Sequence, residues 1–546
     1  MMLWSGPLLP LVSLAWPLFL ALLAALPGVR ALRLLPLAPL PALVLALVGT
    51  SGETVAPVLL LGLHLTLDES TRLLLGMSSA LWLMAGIYAQ SMAGGRNPAI
   101  FAGFWCLTLA GNTGVFLAAD VITFYACFAA VSLSSWFLII HDRSPEAHHA
   151  GRVYIVLALL GEVCLLVGFL IGAQAADSFL IADIRRALAE APFGSVGVGL
   201  LVVGFGIKAG MVPLHFWLPL AHPAAPVAAS AVLSGAIVKA GLAGFLLFLP
   251  PGAFGTVLVV PGLVGAFGAA LWGLTQSNPK TMLAYSTISQ MGLMLTLIGG
   301  DAAPLVVAFY AVHHGLAKGA LFLSVGAVRT SRGAWRVLLL GGAAVAALSI
   351  AGLPLSGGAA VKLVSKTGLS DGLMLAITLS SVTTAVLLAV FSGRLARLPR
   401  GSTAGAASVL AQRLPVMALS FGAAFGPWLL WPDTLGLALE YALTRSALLD
   451  AAWPLALGLA FSAILLAARI ASFPGLRQAE MRGDVSGIRL PSGWRNLFIR
   501  PAFTAPAVNL TWCEEAAEAL ERTLKRWRFS GLASAVILVA LFLLMR

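Results

Sequence analysis

Residues 204–241 read GFGIKAGMVPLHFWLPLAHPAAPVAASAVLSGAIVKAG. An otherwise lipid-soluble segment here carries Lys208, His215 and His222, meets Pro213 and Pro219, and restarts in a helix holding Lys239. Ionisable side chains at membrane depth are costly and by default mark an ion path. Backbone breaks at that depth survive only inside protein or beside a water-filled cavity. The coincidence of the two signals predicts the core of a proton channel, with helix breaks at Pro213 and Pro219.

The rest of the chain fits a membrane setting. Of 546 residues, 60% are hydrophobic and 10% charged, with a mean hydropathy of +0.97, whereas soluble domains carry roughly 25% charged residues. Apolar runs of about 20 residues recur from end to end and predict an all-α polytopic membrane protein of about 14–16 spans. The net charge of +12 does not point to nucleic acid, because the basic residues sit in short loops, as expected of cytoplasmic loops. The first apolar run lacks the basic leader of a signal peptide and reads as a retained span. Cys106, Cys127, Cys164 and Cys513 are scattered, without metal or disulfide spacing. No nucleophile, nucleotide, flavin, iron–sulfur or quinone motif is visible, so no cofactor is expected and any redox chemistry belongs to partners.

Working outward, residues 1–95 hold N-terminal spans near 8–26, 34–48 and 73–92. The 55–67 run, which contains His64, is too short to cross and reads as interfacial. Basic and acidic loops then alternate through ten spans. These form two candidate five-helix units, 96–250 and 251–395, and an odd number of spans makes the second an inverted repeat of the first. The fourth span of each is interrupted, by MVPLHFWLPLAHP and by AGLPLSGGAAVK; such breaks free backbone groups for ions or water. Residues 396–546 add spans near 408–431 and 453–471, an Arg-rich cytoplasmic segment over 472–528 ending in an amphipathic helix, and a final span over 531–545.

More ionisable groups lie inside the spans. His313, His314 and Lys318 share AFYAVHHGLAKGALFLSVGAV, with His314 and Lys318 on one helical face. Lys362 follows the second break, and Lys366 lies one turn on. Glu162, in YIVLALLGEVCLLVGFL, is the carboxylate well inside a span, and pairing with Lys208 would lower the cost of both charges. A desolvated lysine can lose and regain a proton, which an arginine does not. Ser286, Ser289 and Gln290 in AYSTISQMG read as helix-packing residues.

Four of these stretches, GIKAGMVPLHFWLPLAHPAAP, KTMLAYSTISQMG, HHGLAKGALF and GLPLSGGAAVK, resemble the signatures of antiporter-like membrane subunits. These occur in respiratory complex I, multisubunit sodium/proton antiporters and membrane-bound hydrogenase or formate hydrogenlyase complexes. The resemblance covers about residues 97–393. It implies about 14 core helices in two inverted repeats, each with a half-channel. Lys208 would be the central lysine of the first broken helix and Lys239 its connecting lysine, with His215 and His222 nearby. His314 and Lys318 would continue the axis, and Lys362 would end it. The family's glutamate in the second span of the first repeat falls here at Ala129, so Glu162 is the expected replacement. The implied function is proton translocation, with sodium as an alternative cargo, by a subunit of an oxidoreductase or antiporter complex in a bacterial inner membrane. Two rival readings share the motifs: an energy-coupling subunit for inorganic-carbon uptake, and a membrane anchor that has lost proton transfer.

Overall fold

The computed structural model describes residues 8–26, 30–49, 52–92, 97–252, 255–401, 406–431 and 438–472. The chain divides into two compact units, 1–466 and 467–546. Every element below belongs to the first, except the end of the last helix. The Arg-rich segment and the span expected at 531–545 lie outside the described residues.

The N-terminal part holds α1 (Leu8–Ala24), α2 (Leu40–Val48) and α3 (Glu69–Ala89). The short run before α3 is an antiparallel hairpin, β1 (Glu53–Ala56) and β2 (Leu63–Thr66), with Glu53 opposite Thr66. Left-handed Leu60 and Leu61 and Gly62 at φ +106° make its turn. His64 is half-buried and pairs with Glu53 at 2.7 Å. Asp68 caps α3 in a reciprocal box with Thr71.

Four helices follow: α4 (Pro98–Leu117), α5 (Val121–Ile139), α6 (Pro145–Ala176) and α7 (Ile181–Glu190). Asp120 caps α5 through Thr123 and accepts the His64 amide with its other oxygen, tying the hairpin to this helix. The charged stretch around Arg185 forms the short helix α7. Next come α8 (Gly194–Ala209) and α9 (Trp217–Ala224). α10 (Val227–Val232) and α11 (Val238–Phe248) flank a π-helical turn, Leu233–Ile237.

α12 (Gly255–Val264) and α13 (Ala270–Gly273) flank a second π-helical turn. They precede α14 (Pro279–Gly299), α15 (Pro304–Thr330), α16 (Gly333–Ala351), α17 (Gly357–Val364) and α18 (Asp371–Ala396). α19 (Ala406–Leu429) and α20 (Arg445–Ser472) complete the described chain. Among the described residues, twelve helices are long and apolar enough to cross a bilayer, and α1 and α8 are shorter apolar helices. This is a multi-pass membrane protein. Its centre is legible from burial: in the most apolar 18-residue stretches of the span Val227–Phe248 and of helices α14 and α15, 89%, 89% and 94% of the residues are buried, against 17% in the outer span Arg445–Leu465.

The first break differs from its sequence reading. α8 stops at Ala209 because Gly210 adopts φ +73°, a conformation that favours glycine. The chain then turns through Pro213 before α9 begins. Pro219 breaks nothing: it lies in the first turn of α9, where a missing N–H costs no helical bond. The second break follows the same logic, with Gly352 at φ +98° ending α16 before α17 starts at Gly357.

Candidate functional site

The first cluster forms where α6 and α8 pack closely. A Cβ on Gly204 would lie 2.8 Å from the Gly161 carbonyl oxygen, so glycine at both positions lets the helices approach. Glu162 and Lys208 are thereby brought to one small cavity, also lined by Phe128, Ser132, Tyr154 and Trp217. The two charges meet through Ser132. Lys208 Nζ donates to the Ser132 hydroxyl at 2.5 Å, and that hydroxyl donates to Glu162 Oε1 at 2.6 Å. Lys208 Nζ also sits 5.1 Å from the Phe128 ring centroid and 3.5 Å from the Tyr154 hydroxyl. Glu162 and Lys208 are 6% and 4% exposed, and Glu162 Oε2 has no protein hydrogen-bond partner. Among the described residues the other buried acid is Asp120, already engaged as a helix cap. Ala129 lies on α5, three residues before Ser132. The helix break serves the cluster as well: Trp217 Nε1 donates to the Ile207 carbonyl at 2.8 Å, folding the α9 start over the Lys208 turn.

The central cluster lies in the most buried region. Lys239, His314, Lys318 and His222 are each fully buried. Lys239 Nζ lies 2.6 Å from His314 Nδ1 and donates to the Ser234 carbonyl at 2.9 Å. Ser234 belongs to the π-helical turn, a distortion that frees backbone carbonyls from regular helical pairing. The turn also accommodates α15: a Cβ on Gly235 would come within 2.9 Å of the Gly315 carbonyl. His314 Nε2 has no protein partner. Lys318 Nζ donates to the Leu283 carbonyl at 3.2 Å. His222 lies tilted against the Phe322 ring with centroids 4.7 Å apart, and neither of its nitrogens meets a protein partner. Buried polar atoms of this kind are normally satisfied by internal water. His215 stands apart, half-buried and stacked on Phe216.

The third cluster surrounds the second break. His313, adjacent to His314, points elsewhere: its Nε2 lies 2.8 Å from Ser349 Oγ, which also accepts the Gly358 amide at the start of α17. Lys362 Nζ donates to Ser381 Oγ at 2.7 Å and to the Ala351 carbonyl at 3.3 Å. Gln290 joins three helices, accepting from Tyr310 at 2.9 Å and donating to Thr384 at 3.1 Å. The structure thus gathers Glu162 with Lys208 and Lys239 with His314, and places Lys362 in a separate cluster. Ser132, Tyr154, Ser349 and Ser381 are not visible as site residues in the sequence, because serine and tyrosine are ordinary packing residues in membrane helices. No group of three or more metal-ligating side chains occurs among the described residues.

The arrangement has counterparts. Over 290 residues the chain is 31% identical to hydrogenase-4 component B of Escherichia coli (strain K12), covering 49% of this chain and 43% of that protein. Over 318 residues it is 26% identical to a Na(+)/H(+) antiporter subunit of Alkalihalophilus pseudofirmus, covering 54% of this chain and 64% of that protein. It therefore spans under half of the first relative and just under two thirds of the second. Among solved structures, it superposes on a chain of the membrane-bound sulfane sulfur reductase, an archaeal respiratory membrane complex. The TM-score is 0.68 at 22% identity, over 97% of this chain and 99% of that one. A chain of the Mrp complex from Dietzia sp. DQ12-45-1b gives a TM-score of 0.67 at 21% identity, over 98% and 62%. The model of the NADH:quinone oxidoreductase/Mrp antiporter transmembrane family matches residues 118–396, just over half of the chain. With the broken helices and the buried lysines inside that match, the protein belongs to this family.

Proposed function

We propose that the protein is a proton-translocating, antiporter-like subunit of a larger membrane complex. Its path uses Glu162, Lys208, Lys239, His314, Lys318 and Lys362, with His215 and His222 beside it, and Glu162 takes the place of the family glutamate missing at Ala129. The reading is carried by one observation: Lys239 and His314, both fully buried, stand 2.6 Å apart. Two basic side chains in that position are tolerable only if they share a proton instead of each holding one, because paired cations at low dielectric repel strongly. A structural role would be served better by apolar residues of similar volume. The names of the relatives, a hydrogenase component and sodium/proton antiporter subunits, support a place in a multisubunit assembly.

The test is Lys239→Met in the complex purified with its native partners and reconstituted into liposomes. Proton movement is followed with an entrapped pH dye under an imposed potassium diffusion potential. The variant should assemble normally and lose proton movement at least tenfold. Unchanged movement would remove Lys239 from the path and overturn the reading.

A further inference from the structure

A second cavity opens beside Lys362 and is assembled from separate parts of the chain. Lys362 and Lys366 come from α17 and the turn after it, Thr378 and Ser381 from α18, and Asp450 from α20. α20 starts well past residue 396, where the family match ends. Lys362 is buried, Lys366 half-buried and Asp450 exposed, so the cavity leads from an amine inside the protein to its surface. Lys362, Lys366 and Asp450 line this one cavity together, which brings the three charges to the same space. Lys362, in α17, and Lys366, in the turn after it, carry like charges into the same cavity, where they repel. A proton arriving on Lys362 therefore meets a second cation unless something balances it.

We propose that Asp450 is the counter-charge at the outer mouth of the path: its carboxylate balances Lys366, so that Lys362 charges beside a neutral pair. This rests on the reading of Lys362 as the end of the proton path. Asp450 acts through Lys366 as a positioning charge and is not a relay on the path. The C-terminal helix α20, outside the matched region, thereby becomes part of the transport machinery.

The test uses the same reconstituted complex. Asp450→Asn should slow proton movement about tenfold, equivalent to roughly 1.4 kcal/mol, while Asp450→Glu retains most of it. Adding Lys366→Met to Asp450→Asn should recover most of the lost rate, because the charge that needed balancing is gone. A helix-packing role would leave the double variant as slow as the single one, and that result overturns the proposal. Normal movement in Asp450→Asn overturns it too. Lys362→Met separates the two readings. If it stops protons while Asp450→Asn does not, the Asp450 proposal alone fails; if it moves them normally, Lys362 is not on the path and both fail.

Discussion

Replacing Ser132 with alanine removes the hydroxyl that touches both charges of the first cluster, at 2.5 Å from Lys208 and 2.6 Å from Glu162. A hydrogen bond to a charged group contributes about 1.5–3 kcal/mol, and two are lost. The carboxylate and ammonium, at most about 5 Å apart through the bridging oxygen, still attract by about 3 kcal/mol or more at an effective dielectric near 20, so the pair stays in place without its bridge. A water entering the small cavity replaces part of what is lost, which leaves a net penalty of about 1.5–3 kcal/mol. Expressed in a proton-transfer step, that is about ten- to hundredfold in rate. The assay is dye-detected proton movement in liposomes holding the complex, with subunit stoichiometry checked in parallel. Ser132→Thr, which keeps the hydroxyl, should remain active. Wild-type movement in Ser132→Ala, together with complete loss in Glu162→Gln, would refute the bridge and reduce Ser132 to a packing residue.

Three further outcomes follow from the same geometry. Lys239→Arg should be inactive although its charge is kept, since a guanidinium does not give up its proton; proton movement in an assembled variant is the measurement. Ala129→Glu in a Glu162→Gln background should restore part of the lost transport, and no recovery would mean that the two positions are not interchangeable. Gly352→Ala should lower stability by about 1–2 kcal/mol, because φ +98° is strained for any residue with a Cβ. That methyl group would lie 3.5 Å from Lys362 Cδ, an ordinary van der Waals contact, so the cost should appear as a Tm a few degrees lower.

The lysines and both interrupted helices are legible in the sequence because each violates what a lipid-facing helix tolerates. A charge such as Lys208 inside an apolar run, or Gly352 beside Pro354, leaves a mark on one-dimensional pattern alone. The connecting groups leave none. Ser349 follows a run of alanine and leucine in α16, and only the approach of His313 and the Gly358 amide distinguishes it from a packing serine. Pro219 misleads for the opposite reason. Its residue type is a strong signal, yet its consequence depends on whether it falls in the first turn or the interior of a helix. The hairpin before α3 escapes a sequence reading because its strands are only four residues each, and it is held by contacts distant in the chain, such as the bridge from Leu65 to Ala118.

Consecutive residues leave an α-helix about 100° apart, so His313 and His314 necessarily look in different directions from α15. One addresses Ser349 and the second break; the other addresses Lys239 and the π-helical turn. α15 is therefore a keyed shaft whose angular setting is shared by two locks. Turning it to improve the fit on one side spoils the other, and a single inserted residue upstream would unseat both rings at once. With 94% of the residues in its most apolar 18-residue stretch buried, the helix has little room to rotate.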